Sequence, residues 1–438
     1  MLKQKKPVRK AHKGNQGAEY LKLFTQTAIR PVQRFTFKGN PKHTRYGWLR
    51  LTPAYSVHLV SELLDQYAGG GAVVLDPFCG TGTTALACAE RGIACDTTDI
   101  NPFLIWLAEV KTRQYSKDDL DGVRSSSMQV AKAMRQNGVS ANWLPPLHQI
   151  EKWWEPSLLS ALGRGMRKIN DLVRDIPVYS SDLLKIAFCR VAIEQAQVSF
   201  GHQSMSFKKK EEAIPALNFE SLPEETVAAN WEHAVASIAE AASSQIAKQP
   251  RAIFCDAREL TGKLNMNHYS CIITSPPYPN RMSYIRELRP YLYWLGYLTD
   301  QREAGELDWQ AIGGTWGFAT SNVGKWQPPS KVEIPYFGFD KILSGVAKHS
   351  PLLSRYIHKY FYDMVHHCGE LFRVVEPRGT VNYIVGNSKF YDVMLPVENI
   401  YGSMFEATGF HNVEVRNIRK RTSKKELFEF VVSGKKPA

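Results

Sequence analysis

The chain predicts an α/β fold in which a mostly parallel sheet is interrupted by two insertions. Three observations carry this. A strand, a glycine turn, a helix and a second strand follow one another from Ala72 to Asp99. The same alternation resumes far downstream, at Ala252 to Asp256 and Cys271 to Thr274. The chain then closes on two further strand-like runs, Val413 to Arg416 and Leu427 to Val432, joined by a basic turn. Strand and helix in alternation mark a parallel sheet with helical crossovers.

Taken in order, residues 1–40 form a basic arm, with Lys3, Lys5, Lys6, Arg9, Lys10 and Lys13 unrelieved by acid. The arm is expected to lie unstructured when free, either tracking phosphates or simply solvated. Residues 41–110 hold the first part of the α/β domain. Val57, Leu59, Val60, Leu63 and Leu64 recur at helical spacing, and Gly69, Gly70 and Gly71 end that helix. The apolar strand Ala72 to Asp76, the turn Phe78 to Gly82, a helix from Thr83 to Glu90 and the strand Ile93 to Thr98 follow. Residues 111–250 read as a mainly helical insertion, with Trp143, Trp153, Trp154, Arg164, Arg167 and Lys168 interleaved. Residues 251–438 hold the second part of the domain. Within it, 300–350 reads as irregular and rich in glycine, proline and tryptophan. A helix from Pro351 to Val374 then leads through Glu376 to Gly379 into a strand from Thr380 to Val385.

With 44% hydrophobic residues the chain can bury a large core, and its net charge of +13 favours a polyanionic partner. The seven cysteines lie scattered without a C-x-x-C pair, which suits reduced thiols in a cytoplasmic protein. His366, His367 and Cys368, adjacent on a helix, point in different directions and make a poor metal site, so no metal is expected. No stretch has the form of a secretory signal or a membrane span.

Gly80 and Gly82 let backbone approach a ligand at the head of the first strand, where the next helix presents free N–H groups. A phosphate-cradling P-loop is excluded, because Thr83 rather than lysine follows Gly82. A dinucleotide remains open on the relaxed pattern Gly80 to Ala85. So does S-adenosylmethionine, for which Asp76, Asp99 and Asp256, each after a strand, would face the amino-acid end, the ribose and the adenine in turn. Carboxylates at strand ends are common in any such fold, so the choice needs a second motif.

That motif is Thr274-Ser-Pro-Pro-Tyr278, directly after an apolar strand. Its prolines stiffen the loop and remove N–H donors, leaving carbonyl acceptors beside the Ser275 hydroxyl and the flat face of Tyr278. Such a set suits a flipped-out base that carries an amino group. Together, Asp76 to Gly82 and Thr274 to Tyr278 resemble the cofactor-binding and catalytic motifs of the DNA amino-methyltransferases. The segment Arg50 to Ser56 resembles that family's upstream cofactor segment, and Pro279 to Arg286 resembles bacterial members of the S-P-P-Y type, typical of cytosine-N4 enzymes.

The resemblance implies a Rossmann-like methyltransferase fold, a seven-stranded mostly parallel sheet with a helical insertion. It implies S-adenosyl-L-methionine as cofactor, held by Thr52, Ser56, Asp76, Phe78, Gly80, Gly82, Asp99, Asp256 and Thr274, with Ser275, Pro276, Pro277 and Tyr278 catalytic. The implied reaction is site-specific methylation of double-stranded DNA, cytosine N4 first and adenine N6 or RNA as alternatives, beside a restriction or defence system. The family usually runs on directly between the second and third cofactor acids, so the insertion at 111–250 becomes the candidate target-recognition region. A nicotinamide oxidoreductase would leave Thr274–Tyr278 unexplained. Carbon-5 methylation would need a Pro-Cys nucleophile, a pair this sequence lacks.

Overall fold

A computed structural model describes residues 33–49, 51, 54–136, 141, 143–199, 206–207, 223–329, 332–421 and 426–438. Residues 1–14 of the basic arm, Arg50, Thr52 and most of the polar stretch 201–210 lie outside the described residues. Seven strands form the main sheet: β1 (Val73–Asp76), β2 (Ala94–Asp99), β3 (Arg251–Phe254), β4 (Tyr269–Thr274), β5 (Val375–Gly386), β6 (His411–Lys420) and β7 (Phe428–Lys435). Their order is β6-β7-β5-β4-β1-β2-β3. β7 runs antiparallel to both neighbours, and the other pairings are parallel. The order reverses between β1 and β4, which places the ligand crevice at the carboxyl ends of those two strands.

Successive residues of each strand face opposite ways, so the sheet has two apolar faces. Val74, Cys271, Ile273 and Ile384 pack on α1 (Val57–Tyr67) and α2 (Thr83–Arg91). Leu75, Ile272, Tyr383 and Val385 pack on the opposite side, against residues of α12 (Pro351–Val374) and α13 (Val397–Thr408). The expected helices and strands β1 to β4 stand within a residue or two of their predicted places, whereas β5, β6 and β7 run three to five residues beyond the runs read as Thr380–Val385, Val413–Arg416 and Leu427–Val432.

Between β2 and β3 run α3 (Pro102–Thr112) and a bundle of four helices: α4 (Lys117–Arg135), α5 (Pro156–Leu172), α6 (Val178–Glu194) and α7 (Pro223–Ala242). The bundle shares one core with α3 and with α8 (Tyr284–Trp294). Buried Arg45 ties it to the sheet domain, donating to the carbonyls of Lys111 and Arg113 at the end of α3 and of Ala242 and Ser244 at the end of α7. Much of the aromatic and basic character read in this insertion is structural. Trp153 and Trp154 are core residues, and Arg164 donates to the Ala133 and Met134 carbonyls at the end of α4.

Three readings are corrected. The segment 300–350 is not irregular throughout, since it contains α9 (Glu303–Gln310), α10 (Phe318–Lys325) and α11 (Phe339–Ala347). The segment Glu376–Gly379, read as the lead into the strand, lies inside β5, where the register slips between Tyr269↔Val375 and Cys271↔Thr380. Arg378 takes a φ of +67° there and its N–H bonds back to Lys436 and Pro437, so the extra residues bulge out without ending the strand. Residues 33–40, assigned to the arm, form two short 3₁₀ turns that contribute Phe35, Thr36 and Phe37 to the cavity described next.

Candidate active site

The carboxyl ends of β1, β2, β3 and β4 surround a cavity of about 300 Å³. Ser56, Phe78, Gly80, Asp99, Asp256, Ser275, Pro276, Pro277 and Tyr278 line it, so nine of the residues singled out from the sequence meet around one space. Thr52 lies outside the described residues, and Asp76, Gly82 and Thr274 stand behind the wall.

Asp76 is completely buried, with both carboxylate oxygens taken. Oδ1 accepts from Thr274 Oγ1 at 2.6 Å and from the Phe78 N–H at 3.2 Å, and Oδ2 accepts from Tyr55 Oη at 2.9 Å. Burial pushes its carboxyl up to about 7, against the pull of the bonds from Thr274 and Tyr55. The expectation that Asp76 faces the ligand is therefore corrected: it fastens the glycine turn to the end of β4. Gly82 acts in the same supporting way. At φ +72°, a Cβ there would sit 3.3 Å from Ala108, so its lack of a side chain lets α2 start against α3.

Asp99 lines the space itself. It accepts the Gly80 N–H at 3.2 Å and the Asn101 N–H at 2.9 Å, and burial pushes its carboxyl up to about 6 despite those bonds. Gly80, at φ +51°, is the point where the backbone turns to make that contact. Asp256 ends the crossover from β3 and is held by Arg258, which donates through Nε at 3.0 Å and Nη2 at 2.6 Å. Burial alone raises its carboxyl, but the Arg258 guanidinium outweighs that and holds it below the usual range. Ser56 caps α1 by accepting the Leu59 N–H at 3.4 Å and donates to the Arg34 carbonyl at 2.7 Å.

At the other end of the cavity, Ser275 Oγ donates to the Ile384 carbonyl at 3.0 Å. Its single proton is thereby spent, so towards a further donor the oxygen acts as an acceptor. Pro277 differs from its expected role, because its carbonyl accepts Tyr360 Oη at 2.7 Å and anchors the loop to α12. Tyr278 Oη donates to Glu429 Oε1 at 3.0 Å, Arg419 Nε donates to Glu429 Oε2 at 2.7 Å, and the Arg421 guanidinium carbon lies 5.3 Å from the Tyr278 ring centre.

Several cavity residues escaped the sequence reading. Glu429, Arg419 and Arg421 arrive from β7, β6 and the residue after β6. Asp308, from α9, lines the cavity fully buried, accepting Ser283 Oγ at 2.5 Å and the Trp316 N–H at 2.7 Å, and Gly314 must be glycine because a Cβ would fall 1.6 Å from the Asp308 carbonyl oxygen. Lys111, buried in α3, donates to the Thr81 carbonyl at 3.0 Å beneath the glycine turn, and burial lowers its ammonium to about 8. A lysine directly after the largely apolar run Phe103 to Val110 was the available signal for it.

His367 is used inside the fold. Nδ1 bonds the Ala257 carbonyl at 2.7 Å, Nε2 meets Tyr383 Oη at 2.5 Å, and burial lowers the ring to about 4, so it stays neutral and braces the wall at Ala257 and Phe78. Among the described residues no group of three or more His, Cys, Asp and Glu could hold a metal ion, and no helix is long and apolar enough to cross a membrane.

The N6/N4 methyltransferase family model, described as DNA methylase, matches residues 2–109. The chain is 23% identical over 409 residues to the type II methyltransferase M.AvaI of Nostoc sp., covering 86% of this chain and 81% of that protein. It is 21% identical over 453 residues to the type II methyltransferase M.BsoBI of Geobacillus stearothermophilus, covering 92% and 86%. The rRNA methyltransferase aviRa from Streptomyces viridochromogenes aligns over 87% of this chain and 86% of its own, with 11% identity and a TM-score of 0.27, too distant to carry an argument.

Proposed function

We propose, for a chain that belongs to the DNA amino-methyltransferase family and takes its methyl group from S-adenosylmethionine, site-specific methylation of cytosine N4 in double-stranded DNA. The observation that carries the reading is the Ser275 hydroxyl, which lines the cavity with its proton donated to the Ile384 carbonyl, so that its oxygen is set to accept.

The donor set fits the cofactor. Asp99 offers a carboxylate to ribose hydroxyls, Asp256 offers an acceptor to the adenine amine, and Phe78, Ile100, Leu104 and Ala257 give the apolar walls a purine needs. Gly80 leaves room for the backbone to approach the amino-acid end. When bound, S-adenosylmethionine supplies a sulfonium-activated methyl group.

The chain's own residues prepare the nucleophile. A base amine is weakly nucleophilic because its lone pair is delocalised into the ring. With its hydrogens on Ser275 Oγ and the Pro276 carbonyl, the nitrogen turns towards tetrahedral geometry and its lone pair is released for attack. Alignment of that nitrogen with the methyl carries much of the rate, and hydrogen bonds that strengthen as charge develops add to it. The base lies against Tyr278, whose ring is fixed by Glu429, and this stacking offsets an extrusion cost of a few kcal/mol.

The choice of cytosine rests on the neutral acceptor at Ser275, a position where the adenine-N6 enzymes more often place Asp or Asn. The bundle at 111–250 is the proposed target-recognition region, a restriction endonuclease of the same specificity the proposed biological partner, and the cytoplasm the proposed location. The test is transfer of labelled methyl from S-adenosylmethionine to duplex DNA of many sequence contexts, with RNA in parallel. Incorporation into duplex DNA that is lost with Ser275→Ala is expected. Incorporation into RNA alone would overturn the reading.

A further inference from the structure

A second cleft of about 200 Å³ opens beside the Tyr278 slot, lined by Asn280, Arg281, Ser388, Lys389, Tyr391 and Arg421 among others. Asn280 and Arg421 belong to the walls of both spaces, so the two are adjacent. Most of the new wall comes from a short hairpin, Ser388–Phe390 paired with Val393–Leu395, that stands outside the main sheet.

The polar groups of this cleft are arranged for an anion. Arg281 is exposed, and its guanidinium has no acidic partner among the described residues, while its backbone N–H rests on Tyr356 Oη at 3.4 Å. Arg421 donates to the Asn387 carbonyl at 3.1 Å and is likewise free of a carboxylate. Of the three cations only Lys389 is paired, with Glu426 at 2.5 Å. Ser388 is 4% exposed, and its hydroxyl has no hydrogen-bond partner among the described residues. A buried hydroxyl without a partner is costly, so its persistence on a cationic wall calls for a ligand.

We infer that this cleft binds a backbone phosphate of the strand whose base enters the Tyr278 slot, with Arg281 as its charge partner and Ser388 as a neutral donor. The inference rests on the DNA reading above. It assigns the hairpin a role separate from target recognition: sequence-independent grip on the strand next to the extruded nucleotide. A phosphate fixed there sets the distance from the strand to Ser275, because Asn280 follows the catalytic loop directly.

The test is fluorescence anisotropy of labelled short duplexes of unrelated sequence, titrated with the full chain over a series of salt concentrations. Each charge contact with phosphate adds about 0.9 to the magnitude of the slope of log affinity against log salt. Arg281→Gln, which keeps a side chain on the same backbone, is expected to weaken every duplex alike and to flatten the slope by about one. Ser388→Ala is expected to weaken binding a few-fold at an unaltered slope. Lys248→Gln, an exposed change beyond α7 and far from the cleft, is expected to leave the slope where it was. Calorimetry of S-adenosylmethionine binding reports that each variant is folded. A steep wild-type slope that Arg281→Gln leaves untouched would overturn the phosphate site alone. A wild-type chain with no salt-dependent affinity for any duplex would overturn the DNA reading and this inference with it.

Discussion

The placement of Tyr278 can be tested by one methyl group on a neighbouring strand. Gly386 ends β5 directly beneath the tyrosine, and a Cβ there would lie 2.9 Å from Tyr278 Cε2, 3.2 Å from Cδ2 and 2.7 Å from Arg421 Nη1. Carbon atoms at ease stand about 3.5–4.0 Å apart. In Gly386→Ala the ring must therefore move by roughly 0.5–1 Å to restore that spacing, since Arg421 can swing away but the tyrosine is tethered. Its hydroxyl is held by Glu429 at 3.0 Å, and Glu429 is held by Arg419 at 2.7 Å, so the displacement strains that chain of bonds. Crowding of this kind costs about 1–3 kcal/mol of stability. The catalytic cost is larger in proportion, because misplacing a reacting group by 1 Å costs on the order of a hundredfold. We expect Gly386→Ala to lower kcat/KM for DNA about a hundredfold while S-adenosylmethionine affinity, measured by calorimetry, stays unchanged. Gly434→Ala on β7 is the control, since its Cβ would meet Phe410 at 3.3 Å and Val381 at 3.4 Å, away from the cavity. It is expected to cost stability without costing turnover. If Gly386→Ala keeps wild-type kcat/KM, Tyr278 is not the surface on which the base is positioned.

The other expectations follow from single groups. Ser275→Ala removes an acceptor used in the transition state and leaves the Pro276 carbonyl, so kcat should fall on the order of 10²–10³-fold in single-turnover assays with cofactor affinity nearly intact. Gly80→Asp puts a carboxylate and a Cβ at φ +51° beside Asp99, and calorimetry should show S-adenosylmethionine binding sharply weakened in a chain whose circular dichroism is unchanged. Asp99 is pushed up to about 6 by burial, and its protonation removes the charged acceptor. Affinity for S-adenosylmethionine should thus be full above about pH 7 and fall as pH drops through 6, approaching tenfold per unit, with Asp99→Asn giving a flat, weak profile.

Elements whose signals are local were legible in the sequence. β1 is a short apolar run closed by Asp76, β2 a short strand closed by Asp99, and the turn between β1 and α2 carries its glycines in the chain itself. The helix Pro351–Val374 was read to the residue, because its apolar stripe is long and a serine and a proline begin it. The three helices inside 300–350 were missed because each has only eight or nine residues and few are buried, Ala319 and Val323 in α10 and Phe339 and Val346 in α11. So short a stripe has no readable period.

Within the site, the loop from Ser275 to Tyr278 and the acid Asp99 were legible from motif and strand end. The partners that decide their chemistry come from far along the chain. Glu429 stands 151 positions from Tyr278, and the donor that takes Asp76 Oδ1 away from the cavity, Thr274, stands 198 positions from it. The sequence names such residues but carries no local sign that the sheet will bring them together.

The measurement that bears most directly on the central claim is the identity of the methylated nucleoside. Duplex DNA offering many sequence contexts, incubated with the purified chain and S-adenosylmethionine, is digested to nucleosides and resolved by mass spectrometry. The account predicts N4-methylcytosine, absent when Ser275→Ala replaces the wild-type chain. N6-methyladenine alone would contradict the assignment of cytosine to the Ser275 acceptor, and the absence of any methylated base would contradict DNA as the substrate.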